Sequence, residues 1–409
     1  MPYQLCCITV GTFRLLGGDA TRQSMLPTAG RGGRERGFGD ATNDHHAGRK
    51  LVQTRAMRRE ERPMRLPRAM FLLPFLALAP ALPVPPADAQ DKPVHLKLSH
   101  WVPPAHPLQK ALEDWGSSIQ KATNGTVTFT VFPSQQLGKA FDHYDMARDG
   151  IADVTYVSPG YQPGRFPIID AGNLPFMMSN AKGGSQALDA WYRKYAATEM
   201  KDVKFCLGFV HDYGSFHSRT KKIVVPGDVR GVKVRPAHAT IATLVTQLGG
   251  INVQASAPEV RDVIEKGVAD AVTFPWGSIP LFGIDKVTKY HMNAPLYVTA
   301  FAWVMNKNTY QNMSPGQQKV IDEHCTPEWA LRVAAPWADF ERAGVAKLQA
   351  DTASGREVYT ITDAQLAEWR KAAEPVVKVW ADGVRKVGQD PDVVLAELKD
   401  AIAKYKGLD

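Results

Sequence analysis

Arg235 is the residue with the clearest chemistry in this chain. It closes the segment Gly231-Val232-Lys233-Val234-Arg235, and Pro236 follows it. Gly231 to Val234 reads as a turn running into a short β-rich strand, which sets Arg235 at the strand's carboxyl end. In an open α/β sheet, the crevice beyond those ends is where ligands bind. A guanidinium is a flat fork of donors that matches a carboxylate, and it stays charged at working pH. An arginine taken alone is more often solvated or salt-bridged, so its surroundings carry the weight. Phe274 and Trp276 follow in the stretch Thr273-Phe274-Pro275-Trp276-Gly277. Trp276 sits in a loop between Pro275 and Gly277, where core packing explains a large ring less well than a ligand wall does. The chemistry these residues suggest is capture of a carboxylate beside ring surface.

The elements that must position them alternate along the chain. Val94–Leu98 reads as a strand. Pro107 opens a helix whose apolar positions Leu108, Ala111, Leu112, Trp115 and Ile119 follow the 3–4 spacing, with Asn124-Gly125 as the stop signal. Thr126–Phe132 is β-branched and aromatic at period 2, a second strand. His143–Arg148 fits a helix ended by Gly150, and Ala152–Val157 a third strand. Strands alternating with helices predict an α/β fold with a mainly parallel, wound sheet. His100 and Trp101 follow the first strand and Tyr161 the third, both crevice positions. Ser256 and Ala257 precede a helix over Pro258–Lys266, and their small side chains leave room beside it. Late in the chain, Glu328–Ala350 predicts one helix kinked at Pro336, and Thr362–Val387 a further helix. For every aromatic residue named, ordinary core packing is the competing reading.

Enzyme signatures are missing from the chain after residue 90. It carries no G-x-S-x-G elbow, H-E-x-x-H pair, P-loop or G-x-G-x-x-G. Its histidines are scattered, and none makes an i, i+4 pair with another. Neither a metal site nor a cofactor is read, and no catalytic residue is assigned. Asp262 and Glu265 sit at helical spacing on a solvated face.

The first ninety residues have a different character. Met64–Arg68 is a basic n-region, Phe71–Val84 an apolar stretch, and Ala87-Asp88-Ala89 a small-x-small cleavage signal, the layout of a secretory signal peptide over 64–89. The apolar stretch holds three prolines and falls short of the ~20 residues a spanning helix needs. No cysteine stands directly after the cleavage site, which argues against a lipid anchor. Residues 1–63 read as a mispredicted extension, with translation starting at Met57 or Met64. Residues 1–89 account for +6 of the formal charge of +8, so the high overall basicity gives no support to nucleic-acid binding. Cys6 and Cys7 belong to the leader. Cys206 and Cys325 remain, and an oxidising compartment permits a bridge between them, while two buried free thiols are an equal reading.

The order of motifs resembles the periplasmic solute-binding subunits of TRAP (tripartite ATP-independent periplasmic) transporters over nearly the whole chain from about Val94. The strings that carry the resemblance are SHWVPPAHP, TNGTVTFTVFPSQQLG, ARDGIADVTYVSPGY with AGNLPF, KKIVVPGDVRGVKVR, EVRDVIEKGVADAVTFP and YVTAFAWVMNKNTYQNMSPGQQKVI. The resemblance implies a two-lobed binding-protein fold with the ligand cleft between lobes and a long helix packed across both. Lobe I would hold 91–212 and 301–340, and lobe II 213–300 and 341–409. It implies that Arg235, last residue of a G-x-K-x-R pattern, holds the ligand's carboxylate. Relatives often place a polar residue, commonly Asn, where this chain has Phe274, so ring surface replaces an amide. Phe216 and Phe301 would lie where the lobes meet. The expected ligand is a small organic carboxylate with apolar or aromatic bulk, delivered by a periplasmic monomer to TRAP permease subunits driven by an ion gradient. The alternatives are a periplasmic enzyme acting on a small carboxylate, or a binding protein for a C4-dicarboxylate or sugar acid.

Overall fold

A computed structural model of the protein describes residues 91–351 and 354–408. The expected leader and extension lie outside them. No helix among the described residues is long and apolar enough to cross a membrane.

The first sheet is built from β1 (Val94–Ser99), β2 (Val127–Phe132), β3 (Val154–Val157), β4 (Val203–Val210) and β10 (Ala300–Asn306), in the order β2-β1-β3-β10-β4. Pairings among β1, β2 and β3 are parallel, and β10 runs antiparallel between β3 and β4. The second sheet takes β5 (Gly214–Ser218), β6 (Lys233–Arg235), β7 (Ile251–Asn252), β8 (Ala271–Pro275), β9 (Tyr290–Asn293) and β11 (Glu357–Thr360), in the order β11-β9-β5-β8-β6-β7. Here β6 lies parallel to β7 and β8, while β5 is antiparallel to both β8 and β9.

The helices are α1 (Pro107–Ala122), α2 (His143–Arg148), α3 (Ala181–Glu199), α4 (Ala239–Gln247), α5 (Val260–Glu265), α6 (Ser278–Leu281), α7 (Lys307–Gln311), α8 (Pro315–Glu323), α9 (Pro327–Ala350), α10 (Asp363–Lys386) and α11 (Pro391–Tyr405). In α1 the five apolar residues at 3–4 spacing are all buried, Pro107 occupies the first turn, and His106 caps it by accepting from the Leu108 N–H. That is the usual division of labour at a helix start, with proline where its missing N–H costs nothing and a side-chain acceptor for an orphan donor. Beyond α1, Asn124 and Gly125 both take positive φ, the left-handed conformation that ends helices. The third strand is shorter than its sequence pattern, beginning at Val154.

The chain passes between sheets at 211–213, where β4 leads to β5, and at 294–299, where β9 leads to β10. Two side-chain bonds tie these crossings. The Thr299 hydroxyl donates to His211 Nε2 at 2.8 Å, and Arg342 Nε on α9 reaches Asp212 Oδ2 at 2.7 Å. The helix α9 continues through Pro336 and packs on α1, α3 and β4 as well as on α6. At one point it touches the loop between β8 and α6 backbone to backbone, since a Cβ on Gly344 would sit 2.3 Å from Gly277 N. While α10 packs on α4, α11 packs on α3 as well as on α10. Glycine makes that docking possible, because a Cβ on Gly183 would meet the Tyr405 carbonyl at 2.2 Å.

Cys206 in β4 and Cys325 after α8 form a disulfide, which settles the question left open by their sequence positions. One continuous apolar cluster runs from Leu96 and Leu98 through Tyr156, Phe209 and Trp303 to Phe274, Trp276 and Ile279. The cores of the two sheets therefore merge through the aromatic residues between them.

Candidate functional site

The β6 strand is three residues long, and its register against β8 places Arg235 opposite Val272. Arg235 is 1% exposed. Its Nε donates to the Ala255 carbonyl at 2.8 Å, and its Nη2 to the Tyr161 hydroxyl at 3.2 Å. No carboxylate pairs with it among the described residues. A guanidinium removed from water and left without a counter-charge is costly unless an anion is supplied.

Tyr161 follows β3 in the first sheet, so its contact with Arg235 bridges the two lobes. The same phenol oxygen accepts from the Ala257 N–H at 3.0 Å. Both contacts use the oxygen as acceptor, which leaves the Tyr161 proton available to an incoming anion. The small residue at 257, noted in the sequence, gives a backbone donor here and keeps the space beside it open.

Arg235 and Tyr161 stand at the wall of a narrow, half-open cavity between the lobes, about 40 Å3 in volume. Small-molecule sites commonly run to roughly 300–1,000 Å3, so an aromatic acid fits here only with the lobes further apart than in this arrangement. Trp101, Phe301, Phe274, Phe282 and Trp337 supply ring surface around it. Trp101 lies 6.0 Å from Tyr161 and 6.4 Å from Phe301, ring centre to ring centre, and Phe301 lies 5.4 Å from Trp337. The Arg235 guanidinium carbon is 5.8 Å from the centre of the Phe274 ring, within reach of a cation–π attraction.

Polar groups in the cavity wall are few, and most are committed. The Ser278 hydroxyl donates to Glu341 Oε1 at 2.5 Å, and the Ser278 N–H to Oε2 at 3.0 Å. Glu341 also accepts from Trp337 Nε1 at 2.6 Å. Burial raises this carboxyl to about 7 against those stabilising donors. The His211 Nδ1–H donates to the Asp212 carbonyl, since a carbonyl can only accept. Nε2 is then the acceptor for Thr299, and burial lowers His211 to about 4. Ser158 Oγ and Trp101 Nε1 are buried without a partner among the described residues.

Of the eight site residues expected from sequence, the fold brings Arg235, Phe274, Trp101, Tyr161 and Phe301 to this cavity. The other three lie elsewhere. Phe216 pairs with Thr273, one register step from the Ser215–Phe274 pair, so it faces the opposite side of the sheet from Phe274. Its ring packs 5.4 Å from Trp369 of α10. Trp276 lies past the end of β8, where the chain turns into α6, and its ring packs 5.0 Å from His217 behind the cavity. His100 precedes Trp101 on an extended segment and so points the other way, donating from Nε2 to Gln109 Oε1 at 2.6 Å. Sequence reading passed over His106, Ser158, Thr299 and Ser278. For His106 the available signal was a histidine just before Pro107 at a helix start. The remaining three carried no comparable signal.

The described residues hold no group of three or more His, Cys, Asp or Glu placed to bind a metal ion. What the geometry defines is a two-lobed binding protein with one buried cation in an aromatic cleft. Residues 98–382 match the bacterial extracellular solute-binding proteins of family 7, DctP, and the chain belongs to that family. Its structural relatives are TRAP solute-binding proteins. One, from a marine metagenome and specific for aromatic acid ligands, is 32% identical with a TM-score of 0.71. That match covers 77% of this chain and 99% of the relative, which was co-crystallised with 3-hydroxybenzoate. A second, from Rhodoferax ferrireducens, is 29% identical with a TM-score of 0.72, covers 76% and 98%, and holds copurified benzoate. A third, from Bordetella bronchiseptica, is 29% identical with a TM-score of 0.71, covers 76% and 99%, and has (R)- and (S)-mandelate bound.

Proposed function

We propose that this protein captures a small monocarboxylate with an aromatic body and presents it to the membrane subunits of a TRAP transporter. The observation that carries this reading is Arg235, buried and without a carboxylate partner among the described residues, at the wall of a cavity lined by rings. Arg235 and the Tyr161 hydroxyl hold the ligand's carboxylate, the charge-assisted bonds gaining strength in a site removed from water. Trp101, Phe274 and Phe301 cover the ring. A C4-dicarboxylate or sugar acid would bring a second charge or several hydroxyls against this apolar wall, where unpaired polar groups are costly. The relatives that bind benzoate, 3-hydroxybenzoate and mandelate support the same ligand class.

Each lobe brings one of the two anchoring side chains, so binding draws the lobes together, as in other hinge-closing binding proteins. The ligand leaves chemically unchanged. The protein reaches the periplasm through residues 64–89 and acts there as a monomer, and the disulfide between Cys206 and Cys325 suits that compartment. Its lobes correspond to the two sheets, with the crossings at 211–213, 294–299 and α9 as the hinge.

Calorimetry with benzoate, 3-hydroxybenzoate and mandelate against succinate and glucuronate tests the ligand class. The expected result is micromolar or tighter binding of at least one aromatic acid, weakened by roughly 2–5 kcal/mol in Arg235→Ala, by analogy with truncated buried charge pairs. Binding of succinate or glucuronate with no aromatic acid bound would overturn the reading.

A further inference from the structure

His106 is 2% exposed and lines the cavity. Its ring is fixed by two constraints. Nδ1 accepts the Leu108 N–H at 3.1 Å, and a backbone N–H can only donate, so Nδ1 carries no proton in this arrangement. Burial lowers the imidazole to about 3, with His100 and His211 adding to the effect, so the ring is neutral. A neutral imidazole has one proton, and here it must sit on Nε2. No described residue accepts a hydrogen bond from it.

The ring is held on the side of the cavity formed by α9. Its centre is 5.0 Å from that of Trp337, edge to face, and 6.1 Å from that of Phe340. Arg235 belongs to the other side, bonded to Ala255 and Tyr161. The cavity thus has a cation on one side and an oriented neutral donor on the other, with rings between them. His106 Nε2 has no hydrogen-bond partner among the described residues, so a ligand atom that accepts from it is favoured over one that cannot.

We infer that His106 is a specificity-determining residue, whose Nε2–H recognises an oxygen on the part of the aromatic acid away from its carboxylate, such as a ring hydroxyl. This rests on the ligand class proposed above and adds a preference within it. Hydroxylated aromatic acids are selected over their unsubstituted parents, and the selecting group is an uncharged donor whose tautomer the N-cap of α1 sets.

The test is a set of calorimetric titrations with benzoate, 3-hydroxybenzoate and 4-hydroxybenzoate, and with phenylacetate and its 3- and 4-hydroxy forms. The wild-type chain should bind at least one hydroxylated acid about tenfold tighter than its parent, the size expected of one buried hydrogen bond. Two variants separate recognition from capping. In His106→Asn the amide oxygen can take over the cap at Leu108 while nothing reaches the Nε2 position. In His106→Gln an amide N–H can reach that position while the cap is weakened. The hydroxyl preference should collapse in His106→Asn with little change in melting temperature, and persist in part in His106→Gln. The parent acids should lose less affinity in His106→Asn than their hydroxylated forms do. An unchanged preference in His106→Asn, or no preference in the wild type, overturns this inference while leaving the ligand class standing. Failure of every aromatic acid to bind the wild type overturns both.

Discussion

At the scale of single residues, Arg235 and Tyr161 form a cross-lobe pair with unequal duties. Arg235→Lys keeps the charge but loses the fork that bonds Ala255 and Tyr161 together, so ligand affinity should fall although the protein folds. Tyr161→Phe removes an uncharged hydroxyl that accepts from Arg235 and Ala257 and has a proton to give the ligand. Its loss should cost about 0.5–1.5 kcal/mol of binding, clearly less than loss of the cation. Calorimetry with one aromatic acid ranks the two variants. A Tyr161→Phe protein weaker than Arg235→Ala would mean that the phenol and not the guanidinium is the main anchor.

At the scale of elements, the contact between α9 and the loop after β8 depends on two glycines facing each other. In Gly344→Ala the new methyl would lie 2.3 Å from Gly277 N and 2.5 Å from its Cα. Backbone has no rotamer by which to retreat, so α9 must shift, and overpacking of this kind costs at least about 1–3 kcal/mol. Gly227→Ala is the matched control, since nothing lies within 4 Å of its new methyl. Thermal melts should show a clear loss for the first variant and almost none for the second. Ligand affinity should fall with the first as well, because the shifted helix carries Trp337 of the cavity wall. The disulfide is a second element-scale constraint, joining β4 to the end of α8 across 119 residues of sequence. Closing a loop of that length removes much entropy from the unfolded chain. Replacing both cysteines by serine should cost roughly 2–5 kcal/mol, measured by denaturant unfolding. An unchanged midpoint would show that the bridge does not form in solution.

For the whole molecule, merged cores bury an unusual set of ionisable groups with opposite effects on stability. Burial lowers His106 and His238 to about 3 and His143, His211 and His291 to about 4, from an ordinary 6.5. The unfolded chain protonates these rings as pH falls through about 6.5 and the folded chain does not, so each opposes folding increasingly below that pH. Burial also raises Asp170, Glu199 and Glu341 to about 7 and Asp189 to about 6. Those carboxyls act in the opposite sense, favouring the fold at low pH and losing that support between about 4 and 7. His100 and His217 are lowered too, so the histidines outnumber the carboxyls. Melting temperature should therefore rise from pH 5 to pH 6.5 and flatten near 7. A series of melts across that range checks it, and a temperature that falls over the same interval would show that the carboxyls dominate.

Residue periodicity was enough to place α1 and β2, because a 2- or 3.6-residue repeat reports that one face of an element is buried. The same logic put Arg235 at a strand's carboxyl end, since the glycine turn and the proline that bracket it are local signals. It could not say which of two buried faces holds the ligand. Phe216 and Phe274 are both aromatic and both buried, and only the pairing of Ser215 with Phe274 across β5 and β8 puts them on opposite sides. Trp276 lost its expected place because the strand ends one residue before it, and His100 because its neighbour Trp101 took the inward direction. The role of His106 depends on a proton position set by the Leu108 N–H, a contact made only once α1 has formed and its ring is walled by Trp337 from more than two hundred residues away. Local order is written in neighbours along the chain, whereas a site is made of neighbours in space, and here those come together only when two sheets close over one cleft.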